Sequence, residues 1–224
     1  MDVVEAIRKR KSIRGFKPDP IPKKIINDIL EIACRAPSGV NAQPWEFAVL
    51  AGDVLDNIGR LNVELFKSNE PFKPEFAGEP FPRDSVYRQR QVKLGAALFE
   101  LMGIPREDKK KRTQWIERGF RFFDAPAVII ILVDRLLDLK GALIDIGALL
   151  QNICLAALEY DLGTCIADQG IQYPMAARKF TDIPESKLIL MTISIGYPNL
   201  DFPANKLEST REPVENLTTW YGFK

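Results

Sequence analysis

The most constraining feature of the sequence is the unbroken apolar run at residues 127–133, AVIIILV, between Pro126 and Asp134. Its β-branched residues favour an extended strand, and the lack of polar side chains predicts a strand that is covered on both faces. A second run at 187–198, KLILMTISIGYP, has the same character, and residues 45–51 alternate apolar and polar side chains. The chain therefore has to cover both faces of a β-sheet.

Helical periodicity fills the intervals between these strands. The predicted helices cover residues 2–10, 25–33, 53–67, 87–102, 108–122 and 141–163. The alternation of strands and helices indicates an α/β or α+β sheet flanked by helices. The helix at 141–163 is apolar nearly all round, so we expect it to be buried. Its small residues would also allow close approach of another helix, including one across a subunit interface.

Two segments lack such periodicity. Residues 68–86 mix proline, phenylalanine and charge, and a loop of this length often forms a lid or a binding segment. The C-terminal tail at 203–224 carries aromatic side chains without a clear core of its own, so it needs an apolar surface to lie on.

Composition excludes several classes of function. The formal net charge of +1 over 224 residues provides no global field for nucleic acid or an anionic membrane. The chain has no histidine, which removes imidazole bases and most zinc sites, and its three cysteines are too few for a disulfide framework or a metal cluster. It contains no phosphate loop of the Rossmann or P-loop type. Since no signal peptide or membrane span is predicted, we expect a cytoplasmic protein of one domain.

A basic cluster follows the first predicted helix. Three cations and a hydroxyl fall within five residues: Arg10, Lys11, Ser12 and Arg14. Guanidinium groups match phosphate oxygens, so the cluster could hold a phosphate monoester, or it could be a solvated basic surface. Arg211 could add a cation only if the C-terminal tail folds back.

Two polar loops could belong to the same site. The loop APSGVNAQPWEF at 36–47 offers neutral hydrogen-bonding groups at Ser38, Asn41 and Gln43 that could bind a planar heterocycle. Gly39 would let the backbone approach a flat ring, although an ordinary turn has the same composition. The segment GTCIADQG at 163–170 could direct a backbone N–H into a site, or could form a helix cap and a turn.

Six motifs, taken in order, resemble the family of FMN-dependent nitroreductases. They are RKRKSIR, APSGVNAQPWEF, FFDAP, ALLQNICLAALEYDLGTC, SIGYP and STREP, and they run from residue 8 to residue 213. The resemblance implies an α+β nitroreductase-like fold with a central mixed β-sheet flanked by helices. It also implies a homodimer with FMN at the subunit interface, a single FMN-binding domain over 1–224, and a C-terminal arm at 203–224 exchanged with the partner subunit.

The resemblance also assigns site residues. The matching positions are Arg10, Lys11, Ser12, Arg14, Pro37, Ser38, Gly39, Asn41, Asp168, Gln169 and Arg211. The N-terminal cluster and Arg211 match the residues that hold the FMN phosphate and ribityl chain. The loop at 37–41 matches the one that reaches the same flavin from the other subunit, and the backbone at 168–169 matches the one that faces flavin N5.

The resemblance implies that hydride passes from NADH or NADPH through flavin N5 to a nitroaromatic or quinone-like acceptor. The cofactor carries this chemistry, so no catalytic acid or base is expected in the protein. Two alternatives stay open. The first is an FMN enzyme of the same fold that dehalogenates aromatics or oxidises heterocycles, and the second is a flavin-storage protein without turnover.

Some positions depart from the family pattern. Relatives often carry an asparagine and a lysine before the central strand, where this chain has RGFRFFDAP and where Arg118 or Arg121 could substitute. Ser209 stands where relatives often have a lysine. The loop at 68–86, with Phe72, Phe76 and Phe81, could form a wall that selects acceptors, or a flap packed on the core.

Overall fold

The computed structural model describes residues 1–223. In chain order the elements are α1 (Val3–Lys9), α2 (Lys23–Ala33), β1 (Glu46–Ala51), α3 (Gly52–Lys67), α4 (Val86–Leu101), α5 (Lys109–Phe120), β2 (Ala127–Asp134), α6 (Leu139–Leu158), β3 (Gly163–Ala167), α7 (Pro174–Phe180) and β4 (Lys187–Gly196). Four helices begin after a residue whose side chain accepts a hydrogen bond from the first turn: Asp2, Ser85, Asp108 and Asp138. The predicted helices and the three predicted strands are therefore present, with small shifts at their ends.

The four strands form one sheet in the order β1-β2-β4-β3, and all neighbouring strands are antiparallel. Parallel pairing is limited, within residues 1–223, to one bridge between Ser12 and Thr164 at the outer edge of β3. The fold is α+β, as expected, but the mixed character of the sheet is confined to that bridge.

Helices cover both faces of the sheet. Ile129 and Ile131 of β2 face a core that includes α2 and α6, whereas Val128 and Ile130 face a second core with α3 and α7. Every residue of β2 except Asp134 is buried. The prediction of a strand covered on both faces is confirmed.

Helix α6 differs from the prediction on its outer face. Ile146, Leu149 and Ile153 are buried in the core beside α2, but Ile144 is 78% exposed. A Cβ added at Gly147 would meet no atom within 4 Å. The prediction that α6 is buried on all sides is therefore wrong for a single chain, because the other elements of that chain cover only one side of the helix. The helix is long and apolar enough to cross a membrane, but a core helix of a soluble protein passes the same test.

Two short elements were not predicted. Strand β3 covers the start of the segment at 163–170, for which the sequence left open a backbone N–H directed into a site or a helix cap and a turn, and α7 spans only seven residues. A side chain at Gly163 would come within 2.5 Å of Ile13 and within 2.9 Å of Pro198. The first residue of β3 has to be glycine because these two segments approach it closely.

The loop between α3 and α4 is fixed near its middle. The Glu75 carboxylate accepts hydrogen bonds from Arg178 at 2.8 and 3.0 Å, from Arg135 at 2.5 Å and from the Ile189 N–H at 2.6 Å. On one side of this anchor the Phe72 ring lies 5.5 Å from the ring of Tyr173. The first half of the loop is therefore attached to the body of the protein.

Candidate functional site

The basic cluster lies along the outer edge of β3. The Ile13 N–H donates to the Thr164 carbonyl at 2.9 Å, and the buried Ile13 side chain anchors the segment. The side chains of Arg10, Lys11, Ser12 and Arg14 are half-buried. Burial raises the pKa of the neighbouring Cys165 thiol, while Arg14, Ser12 and Arg10 oppose that shift. The structure thus brings the predicted N-terminal residues together beside β3.

The cations of this cluster have no acidic partner in the part of the chain that the structure describes. Across residues 1–223, no carboxylate lies within salt-bridge distance of Arg10, Lys11 or Arg14. Half-buried cations without counter-charges favour an anionic ligand with several acceptor oxygens. The donor set therefore fits the phosphate of FMN.

The polar loop at 36–47 lies beside the first half of α6. The Gly39 N–H points at the Asp145 carboxylate, 3.2 and 3.3 Å from its two oxygens, and Ser38 accepts from the Gln43 N–H at 3.0 Å. Val40 and Asn41 have φ values of 48° and 60°, and Val40 is fully exposed. A β-branched residue with this φ is strained, and such strain concentrates at binding sites. Pro37 is also exposed at the start of the loop.

The loop and the basic cluster are not joined within one chain. Gly39 is held at Asp145, whereas Arg10 is close enough to Cys154 to oppose the burial that raises the pKa of this thiol. These two positions on α6 are nine residues apart, which corresponds to about 13 Å along the helix. Within residues 1–223, no hydrogen bond or salt bridge joins the loop at 37–41 to the basic cluster.

The segment after β3 adopts a single 3₁₀ turn at Gln169–Ile171, preceded by Asp168. The Gln169 side chain donates to the Ile116 carbonyl at 3.0 Å, so it points toward α5. A Cβ at Gly119 would overlap this side chain at 1.7 Å. The Gln169 side chain is therefore turned away from the end of β3, whereas Asp168 is exposed. That the backbone at 168–169 faces a ligand stays a prediction.

Arg211 is not brought to the cluster within one chain. Its guanidinium folds onto its own segment and donates to the Ser209 hydroxyl at 2.8 Å and the Thr210 carbonyl at 3.0 Å. The next residue, Glu212, pairs with Arg90 of α4 at 2.8 Å. The predicted approach of Arg211 to the other cations requires a different path of the tail.

Arg118 and Arg121 have different surroundings, although both pair with Asp124. Arg118 reaches the Arg14 carbonyl at 3.3 Å and therefore supports the basic cluster. Arg121 instead lines a cavity of about 710 Å³ between the segment at 18–21 and α3. Of the two substitutes that the sequence suggested, Arg118 alone contacts the candidate site.

Sequence reasoning missed Asn205. This side chain is buried and binds the backbone on either side of residues 14–15, with its Oδ1 2.7 Å from the Arg14 N–H and its Nδ2 2.7 Å from the Gly15 carbonyl. No local pattern could have revealed it, because the contact joins residues 191 positions apart.

The chain is similar in sequence to proteins of one family. The nitroreductase family matches residues 7–197. A chloronitrobenzene nitroreductase from Comamonas testosteroni is 34% identical over 220 residues, covering 96% of this chain and 95% of that protein. An NADH dehydrogenase from Thermus thermophilus is 46% identical over 224 residues, covering 98% and 96%.

The fold of the chain is also similar to that of solved nitroreductase structures. The crystal structure of the FMN and NADPH-dependent nitroreductase NfnB from Sphigopyxis sp. strain HMH matches with a TM-score of 0.92 at 27% identity, covering 100% of both chains. The matched sequence spans most of the chain and the matched fold spans all of it. This protein belongs to the nitroreductase family.

Proposed function

We propose that the protein is an FMN-dependent NAD(P)H oxidoreductase that reduces nitroaromatic compounds. The observation that carries this proposal is the half-buried cluster of Arg10, Lys11 and Arg14, which has no acidic partner among residues 1–223 and suits a phosphate. Its similarity to a chloronitrobenzene nitroreductase and to an FMN and NADPH-dependent enzyme supports the same cofactor, donor and acceptor class.

Different residues of the chain bind different parts of FMN. Arg10, Lys11 and Arg14 neutralise the phosphate, and the Ser12 hydroxyl adds a neutral donor or acceptor next to it. The backbone at 168–169 lies at the end of β3 and faces the isoalloxazine ring. When bound, FMN would supply hydride transfer at its N5, a chemistry that no amino-acid side chain provides. We assign proton supply to solvent.

We propose that the site is completed by a second copy of the chain. The outer face of α6 exposes Ile144, and α1 beside it exposes Val3, Val4 and Ile7. Exposed apolar surface of this kind favours a subunit interface. If two α6 helices pack antiparallel with their contact centred between residues 149 and 150, the loop at one Asp145 lies opposite the basic cluster at the other Cys154. Each FMN would then touch both chains.

The C-terminal arm fits the same arrangement. Leu217, Trp220, Tyr221 and Phe223 are all exposed in the isolated chain. Residues 203–206 pack on residues 14–15 of the same chain, so the exchanged part of the arm at 203–224 would begin after Lys206. We propose that this part lies on the partner subunit, where these side chains become covered and Arg211 joins the phosphate site. Burial of such aromatic side chains contributes strongly to subunit interfaces.

We also propose that residues 1–224 act as one domain, since both cores share the strands of one sheet. We propose that this domain works in the cytoplasm.

The second half of the loop at 68–86 is the proposed wall for the acceptor. Here the Phe81 ring lies 5.7 Å from the ring of Tyr87, and both rings are exposed. Aromatic rings of this kind suit a planar acceptor.

The proposal is tested by measuring NADH and NADPH oxidation by the FMN-loaded protein with a set of acceptors. The set contains nitrobenzene, 4-nitrobenzoate, a quinone, an iodinated phenol and oxygen alone. We expect a nitroarene to be turned over faster than oxygen. Faster turnover of the iodinated phenol would favour dehalogenation, and bound FMN without nicotinamide oxidation would favour flavin storage.

A further inference from the structure

The peptide groups around Arg14 are held by two side chains from distant parts of the chain. The Arg14 N–H donates to Asn205 Oδ1 at 2.7 Å, and the Arg14 carbonyl accepts from Arg118 Nη2 at 3.3 Å. Both polar backbone groups of Arg14 are therefore satisfied inside the protein. Among residues 1–223, no hydrogen bond or salt bridge engages the Arg14 side chain, which can therefore face a ligand.

Arg118 is well suited to fix this backbone. Its Nη1 pairs with Asp124 at 2.6 Å, its Nη2 also reaches the Phe123 carbonyl at 3.2 Å, and its guanidinium lies 4.7 Å from the centre of the Phe202 ring. Contacts in several directions determine the position of the planar group. The Arg118 Nη2 therefore offers the Arg14 carbonyl a donor of defined position.

Asn205 fixes the same segment from the other side. It is 3% exposed, and its Nδ2 donates to the carbonyls of Gly15 at 2.7 Å and Asn199 at 2.8 Å. A Cβ added at Gly15 would meet the Phe202 ring at 2.2 Å, so the residues at 202–205 pack directly on this segment. The start of the C-terminal arm is thus part of the support of Arg14.

We propose that Arg118 and Asn205 are positioning residues for the phosphate of FMN and act through Arg14. A side chain bound to phosphate loses conformational freedom, and a fixed backbone reduces this cost before the ligand arrives. Because neither Arg118 nor Asn205 is proposed to contact the flavin ring, the contribution of each to binding should depend on the phosphate group. This inference rests on the proposed function.

The test compares FMN with riboflavin, which has the same ring and ribityl chain but no phosphate. Arg118→Met is expected to weaken FMN binding by about tenfold, which corresponds to about 1.4 kcal/mol. Riboflavin binding should change by less than about twofold, or about 0.4 kcal/mol, because riboflavin has no phosphate for Arg14 to bind. Asn205→Ala is expected to show the same selective loss.

A double-mutant cycle tests whether Arg118 acts through Arg14. If it does, Arg118→Met should weaken FMN binding much less in the Arg14→Ala background than in the wild-type protein. Arg112→Met is the matched control, because Arg112 lies on the same helix α5 and its guanidinium also lies over a phenylalanine ring, that of Phe99 at 4.4 Å. This control should keep the affinity of the wild-type protein for both flavins.

Two results would overturn the inference. One is an equal loss of FMN and riboflavin binding in Arg118→Met, which would indicate a general structural defect. The other is full additivity with Arg14→Ala. If Arg118→Met does not fold, Arg118→Lys keeps the charge but loses the fork, and the same comparison applies with a smaller selective loss. Failure of the wild-type protein to bind FMN would instead refute the proposed function.

Discussion

Among single residues, Arg14 combines a fixed backbone with a side chain that has no acidic partner in the described chain. Arg14→Ala is expected to weaken FMN binding by about 1.5–3 kcal/mol, because it removes charge-assisted hydrogen bonds to the phosphate. Titration of the apoprotein with FMN measures the effect. Lys17→Ala removes an exposed cation three residues away and should change little. Equal losses in both variants would show that only the overall charge matters.

The reactivity of the three cysteines is a test of how β3 packs against α6 behind the basic cluster. Burial raises the pKa of the Cys154 and Cys165 thiols above the ordinary value of 9.0, so their reactive thiolate forms are scarce in the folded state. Cys34 is half-buried. At mildly alkaline pH we expect a thiol reagent to modify Cys34 first and the other two only after unfolding. Rapid modification of all three thiols would contradict the packing of β3 against α6.

The same shift has a consequence for stability. Unfolded thiols release their protons at a lower pH than these buried ones, so the unfolded state binds fewer protons above a pH of about 9. The contribution of the two thiols is therefore complete below that pH and declines as the pH rises. The difference in unfolding free energy between the wild-type protein and Cys165→Ala should shrink with rising pH, and a constant difference would argue against the shift.

At the scale of elements, the loop between α3 and α4 depends on Glu75. Its carboxylate binds Arg178, Arg135 and the Ile189 N–H, and removing the charge leaves the largely buried Arg178 without its acidic partner on that side. Glu75→Gln is expected to lower the free energy of unfolding by about 3 kcal/mol. Chemical denaturation measures this difference.

Glu79→Gln is the matched control for Glu75→Gln. Glu79 lies in the same loop and is exposed, so its replacement should change the free energy of unfolding by less than about 0.5 kcal/mol. If both substitutions cost the same, the loop would not be anchored at Glu75.

Elements with a strong local pattern could be predicted from the sequence. The apolar runs of β2 and β4 and the periodic helices are examples. Strand β3 has only five residues, and it became a strand because it pairs with β4, some thirty residues later in the chain. Helix α7 spans about two turns, which is too short for a clear periodicity.

The site could be predicted only in part for the same reason. The cations at 10–14 are neighbours in sequence and stand out as a cluster. Asn205 and Arg118 reach Arg14 through contacts between residues far apart in the chain, which composition and spacing do not reveal. The outer face of α6 was expected to be buried because its sequence is apolar, whereas its exposure within one chain depends on which elements pack there.

At the scale of the whole molecule, the exposed face of α6 predicts a dimer. Ile144→Glu places a charge in the proposed interface of each protomer, and the dimer dissociation constant should rise by at least about 100-fold, or about 2.7 kcal/mol. Analytical ultracentrifugation measures the assembly. FMN binding should weaken in parallel, because the loop at 37–41 of the partner no longer completes the site.

Leu136→Glu is the control for the dimer prediction. Leu136 is also apolar and is 94% exposed, but it lies in the turn after β2 and outside the proposed interface. This variant should remain dimeric with unchanged FMN binding. If Ile144→Glu also remains dimeric, the outer face of α6 is not the interface.

The central claim is that FMN bound by this chain carries electrons from a nicotinamide to a nitroarene. The most direct measurement is the visible absorbance of the FMN-loaded protein during anaerobic addition of NADH or NADPH, followed by stoichiometric nitrobenzene. We predict that a nicotinamide abolishes the absorbance of the oxidised flavin and that nitrobenzene restores it. An absorbance that neither nicotinamide changes, or one that nitroarenes do not restore, would contradict the proposed reductase.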